Sequence, residues 1–239
     1  MDLISAAIDL YLGGRCHGCG QPGRSPCIDC LAALSPRPAA QLRAGLDVPL
    51  ISSLGYDVAT PFVIAYKDRG AWGLTSPLGM TLASSVERLL DDAGIDEADW
   101  RSVILVPVPS SQSAIKKRGF DHTATLASFV AKQLGCRWSG LLRRVTQVGD
   151  QVGRGASGRA INQAGSMAAR PRSRAGAQEV VVVIDDIVTT GATAIEAVRA
   201  LQGASYYVAG VATVADTALG SSGARRQLGI SAVNGSLKV

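Results

Sequence analysis

Val180 to Thr193 reads VVVVIDDIVTTGAT. Val180 to Ile184 is an unbroken run of branched apolar residues, with none of the polar alternation of a half-exposed strand. Such a run predicts a central parallel strand covered by helices on both faces. Asp185 and Asp186 then stand at its carboxyl end, the side on which open α/β sheets bind their ligands. Thr189, Thr190, Gly191, Ala192 and Thr193 follow, offering hydroxyls, a permissive glycine and backbone N–H groups ahead of a helix predicted to start near Ala192. A helix start of this composition favours an anion, above all phosphate.

The two halves of the stretch have different chemistries. Carboxylates accept hydrogen bonds from sugar hydroxyls or meet a hydrated Mg²⁺, whereas the threonine and glycine loop donates to phosphate. Ribose 5-phosphate offers both partners in one molecule. The plainer alternative is a strand ending in solvated acids, with a threonine as an ordinary helix N-cap. The order of residues resembles the phosphoribosyl pyrophosphate (PRPP) motif of type I phosphoribosyltransferases: an apolar strand, DD, two variable residues, TTG, one residue and T. That resemblance implies that Asp185 and Asp186 bind the ribose hydroxyls and act in catalysis. It also implies that Thr189, Thr190, Gly191, Ala192 and Thr193 enclose the 5-phosphate, and that Mg²⁺ bridges pyrophosphate and sugar.

A chain of 239 residues with 47% apolar content has room for one substantial α/β domain and a small appendage. No apolar run approaches the ~18 residues needed to span a bilayer, so no membrane insertion is expected. The opening MDLISAAIDLYLGG carries acids where a secretory signal carries basic residues, which predicts a cytoplasmic location. Charge is unevenly spread. Arg101 to Arg174 holds thirteen Lys or Arg against Asp121 and Asp150, while Thr81 to Trp100 holds six acids and one Arg. Local positive charge suits pyrophosphate or nucleic acid, although a solvated basic face would read the same way. Aromatic residues, at 5%, are too few to suggest a stacking platform for single strands.

Leu3 to Tyr11 has helical spacing and ends at Gly13 and Gly14. Cys16, Cys19, Cys27 and Cys30 then follow the spacing C-x2-C-x7-C-x2-C, the pattern of a four-cysteine zinc site. A knuckle this small has no core of its own, so metal supplies its folding energy. Disulfides fit poorly with the cytoplasmic reading, and a CxxC redox site remains the other alternative. His17 reads as a bystander, and Cys136 as a small core residue.

Residues 36–56 read as a connector, Thr60 to Tyr66 as a strand, and Leu78 to Leu90 as a helix. Lys67 and Arg69 fall in a predicted exposed turn from which they could reach a phosphate. Arg101 to Pro109 (RSVILVPVP) reads as a second buried strand breaking at Pro107 and Pro109 into Ser110, Ser111 and Ser113. Lys116, Lys117 and Arg118 precede Gly119 and Phe120. Asp121 is the expected N-cap of a helix from about His122 to Leu134. A lone histidine in a first helical turn reads more simply as a surface residue than as a base. Leu141 to Arg170, basic and glycine-rich, reads as a long functional loop of the lid type, with disorder as the alternative. Tyr206 to Val214 reads as a further strand.

The succession of the cysteine knuckle, Pro107 to Pro109, Arg118 to Phe120, the spaced Thr146, Gln151, Arg159 and Asn162, and Asp185 to Thr193 resembles the ComF competence-protein family, which includes GntX-like proteins. This chain departs from that pattern in carrying Asp121 and His122 where the family usually has Asn and Gln. It also has wider lid spacing, Arg154 at a usually apolar position and Met167 at a usual Phe. The resemblance implies a pentosyl-transfer enzyme, with pyrophosphate held by Pro107, Val108, Pro109, Ser110, Lys116, Arg118 and Arg159. It further implies a role in uptake of transforming DNA. A binding module for single-stranded DNA or a protein partner, with a structural or sensory PRPP pocket, is the alternative. The expected architecture is a three-layer α/β phosphoribosyltransferase-like domain over 57–239, with a mainly parallel sheet. It follows a helix and zinc knuckle over 1–35. The sequence names neither the acceptor nor the oligomeric state.

Overall fold

The computed structural model describes residues 14–145, 165–171 and 179–219. The predicted N-terminal helix from Leu3 to Tyr11 lies outside them. A six-stranded sheet runs in the order β1-β2-β8-β7-β3-β4. Its strands are β1 (Ala39–Gln41), β2 (Leu50–Gly55), β3 (Val103–Pro107), β4 (Arg137–Trp138), β7 (Val180–Val188) and β8 (Tyr207–Asp216). Only β1 is antiparallel; β2, β8, β7, β3 and β4 run parallel.

The branched residues of β7 divide between two helical layers, as a doubly covered strand requires. Val182 and Ile184 join a core with β2, α2 (Tyr56–Arg69), α3 (Thr75–Asp92) and α5 (His122–Leu134). Val181 and Val183 face the other side and pack with Ala194, Ala197, Val198 and Leu201 of α6 (Ala192–Gly203). This is the predicted three-layer arrangement with a mostly parallel sheet.

Two local readings are overturned. Leu50 to Gly55, placed by the sequence in a connector, is a sheet strand paired with β8. Its serines hid it: Ser52 bonds Thr213 Oγ1 at 2.6 Å, and Ser53 bonds Ser85 Oγ at 2.6 Å and donates to the Thr81 carbonyl. Buried hydroxyls paired in this way avoid the desolvation cost that their composition suggests. Thr60 to Tyr66, predicted as a strand, lies within helix α2. Its buried residues Ala59, Phe62, Val63 and Tyr66 follow the i, i+3, i+4, i+7 stripe of a helix, and core burial outweighs the β-branched composition.

The ends of the basic segment from Leu141 to Arg170 form regular structure. β5 (Leu142–Arg144) pairs antiparallel with β6 (Met167–Ala169), and Val145 N–H donates to the Ser166 carbonyl at 2.8 Å. Glu196 of α6 accepts from the Met167 N–H at 2.8 Å, and Arg199 donates to the Met167 carbonyl at 3.1 Å, fastening the ribbon to α6. Thr146, Gln151, Arg154, Arg159 and Asn162 lie outside the described residues.

The knuckle rests on α2. A Cβ added at Gly18 would collide with the Phe62 ring and lie 2.8 Å from Cys30 Sγ, so glycine is required there by close packing. α1 (Ile28–Ala33) carries Cys30, and Cys16 and Cys30 are buried within the larger core. Cys136 packs partly buried against the same core, and burial pushes its thiol up to about 11.

Candidate functional site

Register places the site. β3 pairs with β7 so that Pro107 lies opposite Ile184, and the Val108 N–H donates to the Ile184 carbonyl at 2.9 Å. The loop after β3 is therefore held beside the acids, which do not end β7 as the sequence suggested but lie within its last four residues, the strand running on to Val188. The two border a cavity of about 370 Å³, which Lys67, Arg118, His122, Arg144 and Thr193 also line.

Asp186 is buried and fully engaged. Its Oδ2 meets His122 Nε2 at 2.9 Å and accepts from Lys67 Nζ at 3.2 Å, while Oδ1 accepts from the Ile187 N–H at 2.7 Å. Burial pushes its carboxyl up, but the His122 hydrogen bond, the Lys67 ammonium and the backbone donor outweigh it and hold it well below the ordinary carboxylate range. Asp185 is its opposite. Burial, followed by the neighbouring Asp186 charge, raises its carboxyl to about 8, against the partial relief of accepting the Asp186 N–H at 2.9 Å. Two adjacent acids thus divide into one firmly ionised and one proton-holding group.

This difference has a measurable sign. The unfolded Asp185 carboxyl ionises near ~4, whereas the folded one keeps its proton to about 8. The folded state therefore loses stability relative to the unfolded one as pH rises across that window. Asp185→Asn is expected to gain more stability over the parent at pH 8 than at pH 5, read from urea midpoints in the absence of ligand. An equal gain at both values would contradict the assignment.

His122 corrects the sequence reading. It is 4% exposed, not a surface residue, and it hydrogen-bonds to Asp186. The signal was present, because His122 is in step with Leu126 and Val130 on the buried i, i+4, i+8 stripe of α5. Asp121 caps that helix as predicted, accepting from the Thr123 and Ala124 N–H groups. Lys67, predicted in an exposed turn, belongs to the last turn of α2 and is directed at Asp186. Arg144 was missed, since nothing in the sequence marks it within a basic stretch. Its guanidinium donates to the Pro109 carbonyl at 2.9 Å, tying β5 to the loop after β3.

The remaining predicted residues divide. Val108, Pro109, Ser110 and Arg118 line the cavity, Arg118 also pairing with Asp68 at 3.1 Å. Pro107 is buried within β3 and Lys116 is exposed; neither lines the cavity. Arg159 lies outside the described residues. In the threonine loop, Thr193 lines the cavity, Ala192 is half-buried, and Thr189 and Thr190 are exposed. Gly191 adopts φ 83° as the N-cap of α6, a left-handed conformation that favours glycine. Arg43 lies against Gly191 and pairs with buried Asp216 at the end of β8, while Thr217 Oγ1 donates to the Thr189 carbonyl at 3.1 Å. The loop is thereby braced from behind, with the first-turn N–H groups of α6 at its inner end.

A parallel sheet with paired acids at one strand end, a backbone loop beside them and a helix start behind them narrows the kinship. Residues 114–225 match the family model described as phosphoribosyl transferase domain. The matched span contains α5, the acid pair, the threonine loop and β8. No curated protein matches the chain.

The second site is the knuckle. The Sγ atoms of Cys16, Cys19, Cys27 and Cys30 all lie within 4.8 Å of one another, with Cys19 and Cys27 at 3.6 Å. Tetrahedral zinc with Zn–S of about 2.3 Å places its sulfurs about 3.8 Å apart, so the four thiols fit zinc. Burial raises the Cys16 thiol, but backbone donors from Cys27, Cys19 and Gly18 bring it down to about 6, favouring the thiolate that metal requires. His17 stays out of the cluster, its Nδ1 bonded to Ser25 Oγ at 2.6 Å. No helix among the described residues is long and apolar enough to cross a membrane.

Proposed function

We propose that the chain binds PRPP together with Mg²⁺ and acts as a phosphoribosyltransferase of the ComF type, serving the handling of incoming DNA in competence. The observation that carries the reading is that the span matched as phosphoribosyl transferase domain contributes Asp185, Asp186 and Thr193 to one cavity, which Ser110 borders from the loop after β3. In this reading the acid pair fixes the ribose hydroxyls and stabilises positive charge developing at C1. The first turn of α6 holds the 5-phosphate, and the loop from Val108 to Ser111, with Arg118 and Lys67, takes the pyrophosphate.

Mg²⁺ suits this oxygen-rich wall, and when bound it would supply neutralisation of pyrophosphate charge. Its water shell would meet the Asp185 carboxyl, which borders the cavity and would lose its proton beside the divalent charge. Arg159 completes the cationic set in the resemblance. Lys67 has a double part: it occupies Asp186 in the free protein, and arriving pyrophosphate offers its ammonium a stronger partner.

Calorimetry of the full chain tests the reading. PRPP with Mg²⁺ is expected to bind at least ten-fold more tightly than ribose 5-phosphate, because pyrophosphate adds the Val108–Ser111 contacts. No heat from either ligand would end the proposal. Salt-dependent binding of single-stranded DNA that survives Asp185→Ala would instead support the binding-module reading.

A further inference from the structure

The two positions at which this chain departs from the usual Asn and Gln, Asp121 and His122, flank one hydroxyl. Ser110 Oγ donates to Asp121 Oδ1 at 3.1 Å and meets His122 Nδ1 at 3.2 Å. The other ring nitrogen, Nε2, meets Asp186 Oδ2 at 2.9 Å. A continuous path therefore joins Asp186, the His122 imidazole, Ser110 and Asp121 across the cavity wall. Two of its members belong to different parts of the proposed ligand: Asp186 to the ribose, and Ser110 to the pyrophosphate loop. The bond broken in transfer, from C1 of the ribose to a pyrophosphate oxygen, must span the gap between them. His122 hydrogen-bonds to both sides of that gap.

We propose that His122 is a catalytic residue that passes a proton to the departing pyrophosphate. This rests on the PRPP reading given above. As the C1–O bond breaks, its electron pair goes to the pyrophosphate oxygen, and the proton on His122 Nδ1 moves to that oxygen, directly or through the Ser110 hydroxyl. The acceptor, written Nu–H, bonds to C1 through its own lone pair and gives up its proton to the vacated imidazole nitrogen. The sum is PRPP plus Nu–H giving the ribosylated acceptor and protonated pyrophosphate, with His122 restored. Asp186 keeps Nε2 as a donor throughout and so fixes which nitrogen faces the ligand.

The charged groups around the ring are arranged for this. Asp186 of β7 and Arg118 of α4 (Gln112–Arg118), whose Nη1 lies 3.5 Å from Nδ1, face the ring directly, while Lys67 of α2 reaches it through Asp186 and Asp121 at the start of α5 through Ser110. Pyrophosphate would draw both cations onto itself as it enters. An amide at position 122 can hold Asp186 but cannot release a proton, so the histidine adds chemistry rather than packing.

The chain has two histidines, His17 and His122, which makes the test direct. Full-length protein labelled with ¹⁵N-histidine is titrated with Mg²⁺ and inorganic pyrophosphate, then with Mg²⁺ and PRPP. The His122 nitrogen signals are expected to move while those of His17 stay fixed; a silent His122 in the presence of bound pyrophosphate overturns the proposal. Pyrophosphate release from PRPP, with water as acceptor, gives the second readout. His122→Gln is expected to bind PRPP within three-fold of the parent yet release pyrophosphate at least 100-fold more slowly, and imidazole added to His122→Ala is expected to restore part of the rate. Release by His122→Gln within three-fold of the parent, or a parent that binds PRPP without releasing pyrophosphate, overturns the role of His122 while leaving the PRPP reading standing. Loss of PRPP binding by the parent ends both.

Discussion

Asp186→Ala is expected to weaken PRPP binding at least 100-fold, or about 2.7 kcal/mol. The change removes more than one acceptor. Lys67 and His122 both converge on Asp186 Oδ2, so the variant leaves two donors facing a cavity with no carboxylate between them. Such uncompensated groups draw in water or turn toward each other, and the surface complementary to the ribose diol is lost. Asp185→Ala removes the proton-holding member and leaves that network intact, so its effect is expected to be smaller. Titration calorimetry with PRPP and Mg²⁺ separates the two. Binding by Asp186→Ala within three-fold of the parent would mean that this acid serves the fold alone. The variant carries a second signature: without the Asp186 charge, the Asp185 carboxyl is expected to ionise lower, flattening the fall in stability between pH 5 and 8.

Removal of metal is expected to have the other large effect. Structural zinc in small cysteine sites is bound with apparent free energies of about 10–16 kcal/mol at neutral pH, and that energy is folding energy. Here the thiols that would hold it are tied to more than the knuckle. Cys16 and Cys30 are buried in the core that includes Phe62 and Tyr66 of α2, and Gly18 lies close against Phe62. Chelation is therefore expected to expose this face of α2, raising dye binding and opening the segment between Cys16 and Leu34 to proteolysis, while the sheet persists. Lys67 stands in the last turn of the same helix, so PRPP affinity is expected to fall as well. Metal analysis of the untreated protein should give one zinc per chain. A metal-free protein with unchanged proteolysis and unchanged affinity would show that the four thiols are not a structural site.

What could be read in the chain followed from how each signal is encoded. β7 and its acids were legible because a doubly buried strand needs an uninterrupted apolar run, and few other structures tolerate one. α5 was legible because Asp121 is an N-cap by chemistry as well as by position. β2 was not, because Ser52 and Ser53 find partners on β8 and α3 that are distant in sequence. α2 was taken for a strand because Thr60 to Tyr66 is short, apolar and partly β-branched, and leaves out Ala59, with which the helical stripe begins. Within the site, the acids and the loops announced themselves as a motif. Lys67, His122 and Arg144 did not, since each is a single side chain whose meaning comes from the element packed opposite it.

The ribbon formed by β5 and β6 has a consequence for how such a protein diversifies. Its two strands are paired with one another, and Met167 of β6 is held by Glu196 and Arg199, so Val145 and Ser166 are fixed side by side. Closing a loop between ends already held together costs little more as it lengthens, roughly 0.6 kcal/mol for each doubling. Insertions, deletions and wholesale exchange of the intervening stretch can therefore be sampled by evolution at almost no thermodynamic penalty to the sheet. The helix that carries Glu196 and Arg199 begins beside the acid pair, so both ends of each exchanged cassette stand on an element that borders the cavity.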